Sequence, residues 1–159
     1  MKTTVLCVGK IKEKYLTAAV EEYVKRLSRY TKVEIVEVAD ERTAEGASKK
    51  EEDQVRRTEG CRLLSRIPDG AYVIALAIEG EGMSSVQLAG RLGALTTAGE
   101  SSLVFIIGGS LGLSPEVLGR ADMKLSFSKL TFPHQLMRVI LLEQIYRSFR
   151  IIRGEPYHK

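Results

Sequence analysis

Two stretches of this 159-residue chain concentrate residue types that can do chemistry. The first, Gly108-Gly109-Ser110-Leu111-Gly112, follows an apolar run and fits G-x-S-x-G, the pattern that lifts a serine nucleophile on a strand-to-helix elbow. Asp122 and His134 come after it, in the Ser, Asp, His order of an α/β-hydrolase. Two features weigh against acyl transfer. The elbow needs its helix to start at once, whereas Ser114 and Pro115 read as an N-cap and first-turn proline that delay it. The 12 positions from Asp122 to His134 leave little room for the elements that usually separate acid from base. The same glycines miss both G-x-G-x-x-G and the P-loop pattern, which argues against a pyrophosphate cradle. They do allow close approach of the backbone to a ligand. Lined also by Leu76, Ile107, Leu113 and Leu130, such a pocket suits an adenine ring and a thioether stem.

The second stretch is the C-terminal Arg153-Gly154-Glu155-Pro156-Tyr157-His158-Lys159. Chain ends ordinarily fray, but Gly154 and Pro156 fix a turn here. An aromatic ring, a titratable imidazole and a cation suit contact with a nucleobase and its phosphate. Metal chemistry has little to build on, because the two histidines, His134 and His158, lie 24 positions apart and neither belongs to an HExxH or CxxC grouping.

These stretches must be positioned by elements that alternate along the chain. Thr3–Gly9 reads as a strand and Glu13–Tyr30 as an amphipathic helix; Val33–Val38 is a strand and Ala47–Arg66 a helix with a solvated charged run, Lys49–Asp53. Ala71–Ile78 is an apolar strand followed by a Gly-rich turn, Glu79–Gly82, and a helix capped by Ser84 or Ser85 that reaches about Leu95. Ser102–Ile107 reads as the most buried strand. Met123–Ser126 is a further short strand, and Pro133 opens a last helix to about Ile151. Strands alternating with helices, several apolar on both faces, predict an α/β fold with a largely parallel sheet covered on two sides. Such sheets bind ligands beyond the C-terminal ends of their strands, here Glu79–Met83, Gly108–Leu113 and Phe127–Phe132.

With 44% hydrophobic and 28% charged residues, the chain falls in the globular class and fits one domain, residues 1–159. No stretch approaches the roughly 20 apolar residues that span a bilayer, and the apolar N-terminus is too short for a signal peptide, so a cytoplasmic protein with no membrane contact is expected. Cys7, in an apolar run, reads as a small buried hydrophobe, and no disulfide to Cys61 is expected. Charge is divided unevenly. Residues 1–119 carry 16 Lys and Arg against 17 Asp and Glu, whereas residues 120–159 carry 8 against 3, which points to a polyanion met by the C-terminal part. The last helix is apolar around most of its circumference, from Leu136 through Leu142 to Phe149, so one sheet cannot cover it and a second copy of the chain is the expected cover, with deep burial inside a single copy as the alternative. Glu143 and Arg147, one turn apart, are expected to pair.

Phe105–Gly109, Leu125–Gln135, Glu143–Arg147 and Pro156–Lys159 together resemble the RlmH family, SPOUT-class methyltransferases that methylate N3 of a pseudouridine in large-subunit ribosomal RNA. The resemblance spans the whole chain, including Val8-Gly9-Lys10 and Tyr23–Tyr30. It implies a C-terminal trefoil knot, a homodimer, no metal, action on the assembled ribosome, and S-adenosylmethionine held at Leu76, Gly108, Phe127, Ser128, Lys129, Leu130, Thr131 and Phe132. The chain departs from the family pattern at Ala77, often acidic in relatives, and at Ser110-Leu111, more usually Ala followed by an aromatic. For such a substrate, His158 is the candidate base for the N3 proton or else a positioner of RNA, with Tyr157 stacking on or hydrogen-bonding the base. Arg153 and Lys159 are expected to contact phosphate, Arg138 to face substrate or partner, and His134 to be structural. Two other classes stay open on the residues alone: a serine hydrolase using Ser110, and a non-catalytic ribosome-binding module.

Overall fold

The apolar runs form five strands, β1 (Lys2–Val8), β2 (Lys32–Val38), β3 (Tyr72–Gly82), β4 (Ser102–Ile107) and β5 (Met123–Ser126). They alternate with five helices, α1 (Lys14–Leu27), α2 (Lys49–Leu64), α3 (Ser85–Thr97), α4 (Pro115–Arg120) and α5 (His134–Ile152), in a computed structural model that describes all of residues 1–159. Every strand pair is parallel, in one sheet of order β2-β1-β4-β3-β5. Two-residue alternation explains why the strands are apolar throughout: on β1, Val5 and Cys7 join a core cluster with Leu27, Leu92, Leu141 and Ile145, while Leu6 and Val8 join another with Leu63 and Val117. Helices α1, α3 and α5 thus cover one face and α2 and α4 the other. Burial pushes the Cys7 thiol up to about 12, which makes it inert as a nucleophile.

Side-chain caps start the helices where the serines fall. Ser48 with Glu51 and Ser84 with Gln87 form reciprocal capping boxes, and the Ser114 hydroxyl accepts from the Val117 N–H ahead of Pro115. The stretch Glu79–Gly82, expected as a turn, is instead an extension of β3. Leu76 and Glu81 both pair with Leu125 of β5, so the residues between them arch out as a bulge. Gly80 is needed there for contact rather than turning, since a Cβ at that position would lie 2.8 Å from the backbone of Lys124.

β5 forms one edge of the sheet, whereas α5 begins against β1, three strands away. The connection Phe127–Pro133 therefore runs past the C-terminal ends of β3 and β4. Arg138 fixes the far end of that crossing, and here the expectation of a substrate or partner contact is corrected. The side chain is 1% exposed, pairs with Glu37 of β2 at 2.5 Å, and donates to the Gly9 carbonyl just beyond β1 at 2.7 Å. Two parallel strand ends present a carboxylate and a free carbonyl together, and a forked cation on α5 satisfies both.

Arg138→Ala should lower stability by about 1–3 kcal/mol, chiefly because it leaves the Gly9 carbonyl without its partner, while the half-exposed Glu37 returns to water. Urea denaturation checks this, and an unchanged midpoint would show that the pair does not anchor α5.

Candidate active site

A cleft of about 790 Å³ opens at the C-terminal ends of β3 and β4, lined by Leu76–Glu79, Ile107–Leu113 and most of Phe127–His134. All three segments meet there because β3 and β4 are neighbours and the β5–α5 connection must pass both. The wall after β4 is largely backbone. Gly112, at φ +83°, returns its N–H to the Gly109 carbonyl at 3.1 Å, and a Cβ on Gly108 would stand 2.9 Å from the Gly112 carbonyl carbon. Apolar side chains, among them Leu76, Ile107, Leu113 and Phe132, supply much of the remaining lining. The Ser128 hydroxyl accepts from the Leu130 N–H at 2.9 Å and so shapes the crossing. Phe127, Ser128, Leu130, Thr131 and Phe132 line the cleft, with Leu130 standing 71% exposed at its edge, while Lys129 is exposed and lies outside the lining.

The serine, aspartate and histidine read from the sequence do not assemble into a triad. Ser110 sits at the exposed tip of the glycine turn and α4 does not begin until Pro115. Asp122 precedes β5, at the opposite end of the strands, where its carboxylate accepts from the Val73 N–H at 2.8 Å. His134 does line the cleft. Its pKa is lowered by burial and then by Arg138, so the ring is neutral at pH 7.

Helix α2 supports the glycine turn through a stripe that the sequence did not single out. Arg56 pairs with Asp53 at 2.5 Å and donates to the Leu111 carbonyl at 3.2 Å. Glu59, one turn on, is buried; one carboxylate oxygen accepts from the Glu41 N–H at 3.0 Å and the other, next to Gly109, has no partner. Burial pushes the Glu59 carboxyl above the usual range. Gly60 gives Ser114 room, since a Cβ there would lie 2.3 Å from its Oγ. In the sequence Arg56 and Glu59 look like ordinary charges on a helix rich in them, and no local signal sets them apart.

The C-terminal tail is folded back on α5 rather than frayed. Arg150 pairs with Glu155 at 2.7 Å and donates to the Pro156 carbonyl at 2.8 Å. The expected Glu143–Arg147 pair forms at 2.9 Å and receives the tail. The Tyr157 hydroxyl donates to Glu143 at 2.7 Å, its ring lies edge-on to Tyr146 at 5.0 Å, and Arg147 stands 4.8 Å from its centroid. Burial and the Glu143 carboxylate push the Tyr157 phenol up to about 12, so it stays protonated. His158 Nδ1 meets Arg147 at 3.1 Å. Arg153 lies 4.8 Å from the Tyr30 centroid, and Lys159 is exposed at the terminus. Tail and cleft of one chain are not brought together. The cleft touches α5 at His134 and Met137, whereas the tail packs near Arg147, about 15 Å along the helix at its 1.5 Å rise.

The family described as "Predicted SPOUT methyltransferase" matches residues 1–158. Proteins named "Ribosomal RNA large subunit methyltransferase H" from Bifidobacterium animalis subsp. lactis and Clostridioides difficile are 59% and 58% identical to the chain over 159 residues, the full length of each. The crystal structure of an A. aeolicus TrmH/SpoU tRNA modifying enzyme superposes with a TM-score of 0.50 at 15% identity, over 99% of this chain and 81% of that one, a likeness of fold.

Gly108→Ala should weaken S-adenosylmethionine binding at least roughly tenfold in calorimetry, because the new methyl must displace the Gly112 backbone. Ser110→Ala, at the exposed tip, should change it by less than about threefold. Equal affinities for both variants would remove the glycine turn from the cofactor site.

Proposed function

The chain belongs to the SPOUT methyltransferase family, and from that premise we propose that it methylates N3 of a pseudouridine in large-subunit ribosomal RNA, as a homodimer acting on the assembled ribosome. The observation that carries this reading is the cleft in which the β3 end, the glycine turn and the β5–α5 crossing meet. Its size falls within the range of small-molecule pockets, and its glycine backbone and apolar walls fit the adenosyl part of S-adenosylmethionine. Leu76, Gly108, Phe127, Ser128, Leu130, Thr131 and Phe132 would hold the cofactor, whereas Lys129 is exposed outside the lining and is not assigned to it. The family's trefoil knot would lie in the same crossing. When bound, S-adenosylmethionine supplies a methyl group already activated by a positive sulfur.

The chain's own residues must align the pseudouridine and manage its N3 proton. We assign the tail of the partner subunit to this task, since in its own chain the tail lies far along α5 from the cleft. Exposed Ile78 and Leu130, both lining the cleft, support a second copy packing there. Tyr157, protonated and fixed by Glu143, offers an aromatic edge and face to the base; Arg153 and Lys159 offer cations to phosphate. The contact of His158 with Arg147 constrains its role. Arg147 can only donate, so Nδ1 accepts and the neutral ring carries its proton on Nε2. Held this way, His158 can donate to a carbonyl beside N3 and stabilise the imide anion. To take the N3 proton at Nδ1, it must leave Arg147.

Methyl-labelled S-adenosylmethionine with unmethylated ribosomes should place label on a pseudouridine, with free RNA a poor substrate; absence of label overturns the proposal. His158→Gln, which keeps an N–H donor, should retain more rate than His158→Ala if the ring donates, whereas a base role predicts equal loss and a flattened pH–rate profile in both. Mixing His158→Ala subunits with Gly108→Val subunits should restore activity through a site with one intact cleft and one intact tail. No recovery in mixed dimers would confine the site to one chain.

A further inference from the structure

Around the end of α1 and the end of α5 the structure gathers five arginines and five aromatic rings from distant parts of the chain. Three of the arginines have carboxylate partners: Arg26 with Glu22 at 3.0 Å, Arg147 with Glu143 at 2.9 Å and Arg150 with Glu155 at 2.7 Å. Arg29 and Arg153 have none, and both side chains are exposed. Yet both stand over the same ring, Tyr30, at 5.6 and 4.8 Å from its centroid. That ring is fixed: it stacks on Phe149 at 5.6 Å with planes 8° apart, and its hydroxyl donates to Glu155 at 2.9 Å. Two cations 124 positions apart in sequence are thereby both seated on one fixed ring, neither of them paired with a carboxylate of the chain.

We infer that Arg29 and Arg153, seated on Tyr30, form a phosphate-binding site for the RNA strand that carries the methylated nucleotide. The guanidinium fork matches phosphate oxygens, and stacking on an aromatic ring orients it at little entropic cost. Arg153 is four residues from Tyr157, so phosphate held here flanks the nucleotide that the tail presents. The sequence showed the basic excess as C-terminal only. Folding adds Arg29, from the near-neutral part of the chain, to that surface. This inference rests on the proposed ribosomal RNA substrate and extends it to the backbone contacts.

The test is binding to unmethylated ribosomes over a series of KCl concentrations, for the wild type, Arg29→Ala, and Arg29→Ala combined with Arg153→Ala. The double variant should bind roughly tenfold more weakly and lower the slope of log affinity against log salt by about 0.7–0.9, the loss of one phosphate contact. Affinity for S-adenosylmethionine and the dimer mass in sedimentation should not change, and lysine at both positions should recover most of the slope. Unchanged binding and slope in a wild-type background that methylates ribosomes overturns the phosphate site alone. Dissociation of the dimer on substitution also overturns it, because it would assign these arginines to carboxylates of the second copy. A wild-type protein that neither binds nor methylates ribosomes overturns the proposed function, and the phosphate site with it.

Discussion

The buried guanidinium of Arg138, paired with the half-exposed Glu37 and bonded to the Gly9 carbonyl, fastens the first turns of α5 beyond the end of β1, and the cleft follows from that point. β5 lies at one edge of the sheet and the helix after it is fastened three strands away. Seven residues, Phe127–Pro133, must bridge the gap, and the short route crosses the ends of β3 and β4. The crossing is held at both ends and braced within by the Leu130 N–H bond to the Ser128 hydroxyl, so it has fewer conformations to lose on binding a ligand. The crossing thereby forms one wall of the cleft.

The opposite wall is organised from behind. Backbone can approach a ligand closely at Gly108–Gly112 because the side chains there are minimal, but a glycine turn has no side chains with which to hold itself. Support comes from α2, where Arg56 bonds the Leu111 carbonyl and Gly60 leaves room for the Ser114 cap. Glu59 sits between them with one oxygen unpartnered beside Gly109. A buried carboxyl of this kind costs stability unless it is neutral or hydrogen-bonded, which agrees with its raised pKa.

The cleft was legible in the sequence to a large extent. Alternation of strands and helices gives the parallel sheet, and a parallel sheet puts ligands at strand ends, which selects Glu79–Met83, Gly108–Leu113 and Phe127–Phe132; the cleft is lined by Glu79 of the first, by all of the second and by all of the third except Lys129. Other features were not legible. Glu79–Gly82 has the composition of a turn, but pairing with β5 draws it into the sheet as a bulge. Arg138 has the composition of a surface cation, but the free carbonyl of Gly9 and the carboxylate of Glu37 converge on it from strands more than 100 positions away. Ser110, Asp122 and His134 stand in a hydrolase order, but β5 places the acid at the wrong end of the sheet.

What the sequence determined by itself was periodic or local: two-residue alternation on β1, the capping serines, the Glu143–Arg147 pair, and a helix too apolar for one cover. These depend on neighbours within a few positions, so they can be read in one dimension. The tertiary structure alone decided which charges are buried and paired, which cations remain free over Tyr30, and that the tail ends about 15 Å along α5 from its own cleft. Those outcomes depend on distances between elements, and linear order carries no information about such distances until the chain has closed its loops.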